Sequence, residues 1–227
     1  MLLELAVFHP ESLAIALRCG VSRLELCTSY AAGGLSPDPD FFSTVRKIFP
    51  GDLFVMIRPR PGDFCYGPEE QAWMLQMIRF YGAAGADGFV LGCLKNGDVD
   101  AEMLDKFVVA AGQKPLTFHR AIDQVMDYDS ALEQLIASGC SRVLTSGRAD
   151  SAPQGAESLA KTIEKFGDRI TILAGGGIRS SSLNRMFSIP GLREIHSAAI
   201  SDPASGIADE KELLGIMTGL RAGGIGI

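Results

Sequence analysis

Eight times along this chain, a short apolar run rich in Leu, Ile, Val and Phe gives way to a longer run with helical spacing. That alternation constrains the fold more than any other feature, because parallel strands need a crossover between each pair and a helix is the usual one. The strand-like runs are Leu2–Phe8, Arg23–Cys27, Leu53–Ile57, Gly88–Leu91, Leu116–His119, Arg142–Thr145, Ile170–Ala174 and Glu194–Ser197. Between and after them lie runs that read as helices. The first opens at His9-Pro10-Glu11-Ser12, runs to Arg18 and is closed by Gly20. The others are Asp40–Phe49, Pro68–Gly85, Asp100–Ala111, Tyr128–Ser138, Pro153–Phe166, Ser180–Phe187 and Glu210–Leu220, followed by a tail RAGGIGI expected to fray.

Eight strand-helix units without a composition break predict one α/β domain over residues 1–227, a single (β/α)8 TIM barrel near the short end of the usual size. Closure predicts that the last helix packs beside the first. An open doubly wound sheet is the alternative. It ranks lower because no GxGxxG follows the first strand; the glycine-rich stretch Gly175-Gly176-Gly177 instead follows the seventh.

Composition narrows the function classes. The net charge is −6 with no block of like charges, which argues against nucleic acid or an anionic membrane as partner. No apolar run reaches the roughly 18 residues a membrane span needs. The N-terminus MLLELAVFHPE carries Glu4 and no basic lead, so it reads as a strand and not as a signal peptide. The five cysteines are scattered without a CxxC pair, which points to a reducing, cytoplasmic location.

In a barrel, strand C-termini and the loops behind them build the site. LTFHRAID (116 to 123) runs an apolar strand into His119, Arg120 and Asp123, groups that cannot be buried without partners. Glu25 and Cys27 share one face of the second strand. Arg58 and Arg60 follow the third, in the loop RPRPGDFCYG. Thr145 and Ser146 end the sixth, and Glu194 and His196 lie on the eighth. Glu4 and Glu194 read equally well as a structural layer paired with arginines inside the barrel. Gly175 to Gly177 before Ser180 offer free backbone amides at a helix start, where an anion would sit.

Taken together, RLELC (23 to 27), GGLSP (33 to 37), MIRPRPGDFCY (56 to 66), LTFHRAID, RVLTSG (142 to 147), AGGGI (174 to 178) and EIHSAA (194 to 199) resemble the CutC family, copper homeostasis proteins with a TIM-barrel fold. The resemblance implies a cytoplasmic barrel linked to copper handling, a homo-oligomer (dimer or tetramer), and a copper ion as the metal to consider, with Cys27 as its candidate ligand. Many members carry a cysteine two residues after the first-strand glutamate. Here that position is Ala6, so a thiolate pair is lost. Cys65, His119 and His196 are the other donors suited to Cu(I).

Two functional readings result. One is a copper-binding protein of homeostasis. The other is an enzyme acting on a small anionic or phosphorylated compound. In the second, Arg58, Arg60 and Arg120 would bind anionic oxygens, with Gly176 and Gly177 holding a phosphate. Thr145, Ser146 and His196 would complete the substrate site. His119 would be the general acid or base, oriented by Asp123 or a glutamate, with Glu25 a second proton-transfer group.

Overall fold

The computed structural model describes residues 1–223. In chain order the strands are β1 (Leu2–Val7), β2 (Arg23–Leu26), β3 (Asp52–Met56), β4 (Gly88–Leu91), β5 (Leu94–Lys95), β6 (Asp98–Val99), β7 (Leu116–Phe118), β8 (Arg142–Thr145), β9 (Thr171–Gly175) and β10 (Glu194–Ser197). Eight of them close a parallel barrel in the order β1-β10-β9-β8-β7-β4-β3-β2, and β5 and β6 form a separate antiparallel hairpin. This is a (β/α)8 barrel, as the alternation predicts.

The helices are α1 (Pro10–Cys19), α2 (Pro39–Ile48), α3 (Pro68–Ala83), α4 (Ala101–Ala111), α5 (Tyr128–Ala137), α6 (Ala156–Phe166), α7 (Leu183–Phe187) and α8 (Glu210–Gly223). α1 begins as its sequence suggests: the His9 ring accepts the Glu11 amide, Pro10 occupies the first turn, and Gly20 ends the helix at φ +72°. α8 packs on α1, where Arg18 pairs with Glu210 at 2.7 Å and the Ala208 amide donates to Ser12 Oγ at 3.0 Å.

Several boundaries move for physical reasons. The β5–β6 hairpin was not expected, because two-residue strands carry no periodicity. α6 begins at Ala156 and not at Pro153: the Ala152 amide is tied to the Gly176 carbonyl at 2.8 Å, and residues 151–155 form turns. The run expected as a helix from Ser180 is a 3-10 turn, Ser180–Ser182, followed by the short α7. Of the tail expected to fray, Arg221–Gly223 continue α8, and residues 224–227 lie outside the described residues.

Alternation along each strand divides the core in two. Leu3, Leu5, Val7, Leu24, Leu26, Leu53 and Val55 point outward and join the large core beneath the helices. Cys27, Phe54, Met56 and Val90 form a small apolar cluster inside the barrel, with Phe8 against it. Gly88 lies under Phe54, where a β-carbon would come within 2.3 Å of the ring.

The rest of the interior is ionic. Arg142, on β8, donates to Glu4 of β1 at 2.6 Å, to Glu194 of β10 at 3.0 Å and to Thr117 of β7 at 3.1 Å. Its guanidinium also stacks over the Phe54 ring at 4.4 Å. Arg23 adds a second cation to Glu194 at 2.8 Å. Glu4 and Glu194 therefore belong to a structural layer, and Arg142 links β8 to β1 and β10, which it does not pair with in the sheet.

Removing one partner from a buried pair leaves the other charge uncompensated, at about 3–5 kcal/mol. Arg142→Met is expected to lower unfolding stability by that amount in urea titration. Adding Glu4→Gln to it should restore part of the loss. A single-mutant effect under about 1 kcal/mol would show that the cluster does not hold the barrel together.

Candidate active site

Above the ionic layer, at the C-terminal ends of the strands, a cavity of about 300 Å³ opens. Its walls include Glu25 on β2 and Cys27 just after it, Arg58 after β3, His119 and Arg120 after β7, Gly176, Gly177 and Arg179 after β9, and His196 on β10. Phe8, Tyr30, Met56 and Phe64 supply apolar surface.

Arg58 is 5% exposed. Its guanidinium donates to the carbonyls of Ala32 (2.9 Å), Gly34 (3.2 Å) and Gly62 (2.8 Å) and lies over the Phe64 ring at 4.7 Å. It has no carboxylate partner among the described residues, and its Nε is buried without a hydrogen bond. A buried cation neutralised only by dipoles is what an anion site requires.

His119 ends β7 and caps the 3-10 turn Arg120–Gln124, its Nδ1 accepting the Ala121 amide at 3.2 Å. The ring proton therefore sits on Nε2, which is buried and unpartnered. Burial, and then the Arg58 charge, hold its pKa down to about 3. At neutral pH His119 is an uncharged hydrogen-bond donor.

The proton-active pair lies elsewhere. His196 Nδ1 is 3.1 Å from Glu4 Oε1, and its Nε2 is 3.4 Å from Glu25 Oε2. Burial works against the imidazolium, but Glu25 and Glu4 outweigh it and raise the His196 pKa. Burial raises the Glu25 pKa, more than His196 lowers it, and Oε1 of Glu25 has no partner. Burial also opposes ionisation of Glu4, but His196 and Arg142 hold it down to about 2. Glu4 is therefore a fixed carboxylate, whereas Glu25 and His196 can exchange a proton at the cavity floor.

The remaining expected residues stand as follows. Asp123 does not reach His119. The 3-10 turn carries it outward, where it pairs with Arg120 at 3.0 Å and accepts from Thr145 Oγ1 (2.5 Å) and from the Ser146 amide and hydroxyl. Thr145 and Ser146 are buried beneath it and do not line the cavity. Arg60 points away from Arg58, to Glu70 at 2.5 Å, Asp63 at 3.0 Å and the Cys65 carbonyl at 2.8 Å, tying down the loop that carries Phe64. Gly176 and Gly177 do line the cavity, at φ +101° and +71°, with Arg120 packed against Gly176. The amides beyond them are taken within the protein: Arg179 N donates to Ser182 Oγ at 3.0 Å, and Ser180 N to Glu212 at 2.6 Å. At the helix start itself, the Ser180 amide is therefore taken by a carboxylate. Sequence reasoning missed Arg179 and Phe64. Their positions, just beyond the glycine turn and within the third loop, were the available signal.

The copper donors do not converge. Cys27 is fully buried beside Glu25, and burial and then that carboxylate raise its pKa well above the ordinary thiol value, against the thiolate that Cu(I) prefers. Ala6 occupies the neighbouring wall position, Cys65 is exposed outside the cavity, and both His196 nitrogens face carboxylates. Among the described residues, no three His, Cys, Asp or Glu side chains group to hold a metal ion. No helix among them is long and apolar enough to cross a membrane.

The CutC family model matches residues 1–201. A family protein CutC from Aliivibrio fischeri (strain MJ11) is 39% identical over 197 residues, covering 86% of this chain and 80% of the relative. A Homo sapiens relative, copper homeostasis protein cutC homolog, is 39% identical over 207 residues, covering 91% and 76%. The crystal structure of a Streptococcus agalactiae protein assigned to copper homeostasis and named CutC superposes with a TM-score of 0.82 at 27% identity, over 87% of this chain and 98% of that one.

The contrast between the two site histidines is directly measurable. In NMR titration His119 should stay neutral from about pH 8 to about pH 5, while His196 should titrate above the ordinary 6.5. The stability signs differ accordingly. The contribution of neutral His119 is complete above pH 6.5 and is lost as pH falls toward 3. That of protonated His196 is present below pH 6.5 and is lost as pH rises through its raised folded value. A His119 that charges near 6.5 would show the cavity to be wetter and less cationic than described.

Proposed function

The chain belongs to the CutC family of copper homeostasis proteins, and on that premise we propose that its barrel mouth binds a small anionic metabolite and moves a proton on it. The observation that carries this reading is Arg58, a buried cation on the cavity wall that meets carbonyl oxygens only. An anionic group seated against it would supply the missing counter-charge. Neutral His119 would donate a hydrogen bond through Nε2–H. Glu25 would take or return the proton, and His196, braced by Glu4, would position Glu25 and adjust its charge. Among the described residues no lysine lines the cavity, so a Schiff base to lysine is not part of this chemistry.

Copper enters this reading as a property of the family's role and not as a ligand chelated at Cys27. Cu(I) competition against a chelator is expected to give binding no tighter than that of an exposed thiol, unchanged by Cys27→Ser. Tight one-to-one binding abolished by that substitution would restore the metal reading.

For the anion, thermal-shift titration with inorganic phosphate and short-chain carboxylates should raise the melting temperature of the native protein. A charge-assisted hydrogen bond contributes roughly 1.5–3 kcal/mol, so Arg58→Met should weaken binding about tenfold to a hundredfold. Binding that survives Arg58→Met unchanged would place the anion elsewhere.

A further inference from the structure

Three residues that line the cavity each carry a buried atom without a hydrogen-bond partner: Arg58 Nε, His119 Nε2 and Glu25 Oε1. Folded proteins leave few buried polar groups unsatisfied, and those in a binding cavity are matched to what binds there. Their chemistry is not symmetrical. Arginine nitrogens only donate. His119 is also restricted to donating at Nε2, because its Nδ1 already accepts the Ala121 amide. Both therefore ask for an acceptor. They flank Phe64, whose ring lies 4.7 Å from the Arg58 guanidinium carbon and 4.7 Å from the His119 ring centre. Glu25 asks for something else. Its other oxygen lies 3.4 Å from His196 Nε2, and its free oxygen accepts when the carboxylate is ionised and can donate when it is not. A hydroxyl satisfies both states, since it donates and accepts. A second carboxylate there would meet like charge.

We infer that the ligand is a small hydroxylated acid, its anionic group held by Arg58 and His119 and a hydroxyl by Glu25. This rests on the anion reading above and narrows it to a substrate class. The hydroxyl is also the group that Glu25 would deprotonate, its O–H proton passing to the carboxylate, so binding and proton transfer use the same contact. An acid lacking the hydroxyl would leave Glu25 Oε1 buried and unpaired, which is how such sites reject deoxy analogues.

Two matched pairs test this by calorimetric titration of the native protein: lactate against propionate, and glycerol phosphate against propyl phosphate. Within each pair the anion is the same and hydroxylation differs. The pair that binds tells carboxylate from phosphate. The hydroxylated member is expected to bind at least tenfold more tightly in one pair or both. In Glu25→Met that ratio should fall to within about twofold. Equal affinities within both pairs would overturn the hydroxyl assignment and leave the anion site standing. Absence of binding by all four would overturn both. A ratio that persists in Glu25→Met would assign the hydroxyl to another residue. Should that variant fail to fold, the wild-type ratios alone decide whether the ligand class holds.

Discussion

The Arg142 guanidinium, buried between Glu4 and Glu194, is the interaction on which the site depends. Together with Arg23, which also pairs with Glu194, it balances two carboxylates taken from opposite ends of the sequence, and it ties β1 and β10 to β8. Glu4, held ionised by it, reaches with its other oxygen to His196, and His196 reaches Glu25. A structural ion pair thereby becomes the lower end of a proton-active chain. Without it, His196 alone would favour the ionised form of Glu4, which is one of the two anions that favour His196 protonation. Buried ion pairs add little net stability compared with apolar packing. What this one supplies is orientation and a fixed charge beneath the cavity.

The cavity separates its two histidines by environment. His119 sits among Phe64, Phe118 and the Arg58 charge, and is neutral. His196 sits between two carboxylates and holds a proton more readily. One residue type thus supplies a hydrogen-bond donor on one wall and a titrating group on the other, a division that acid-base sites commonly use. The same environments disfavour a thiolate at Cys27, since burial and the adjacent Glu25 both oppose its ionisation. Arg60, outside the cavity, contributes indirectly by fastening the loop that carries Phe64 to Glu70 of α3.

Much of this was legible in the sequence. Strand-helix alternation gave the barrel, and strand ends gave His119, Arg58, Glu25, Cys27, Arg120, Gly176, Gly177 and His196 as residues that now line one cavity. What was not legible depended on local turns and distant partners. His119 and Asp123 look like an oriented base in sequence, yet the 3-10 turn between them points one into the cavity and the other toward Ser146. Arg58 and Arg60 look like a clamp, but the stiff RPRPG loop turns Arg60 to Glu70. The amides of Arg179 and Ser180 after the glycine turn look free, but Ser182 Oγ accepts the first and Glu212, from α8, the second. That Glu4 anchors to residue 142 is a 138-residue separation that no local pattern carries.

The central claim is that the barrel mouth is built around an anion and not around a metal. A crystal structure of the native protein grown with lactate or glycerol phosphate tests it most directly. The account predicts ligand oxygens within about 3 Å of Arg58 Nε and His119 Nε2, with a hydroxyl on Glu25. A metal ion coordinated by the Cys27 sulfur, with Arg58 making no ligand contact, would contradict it.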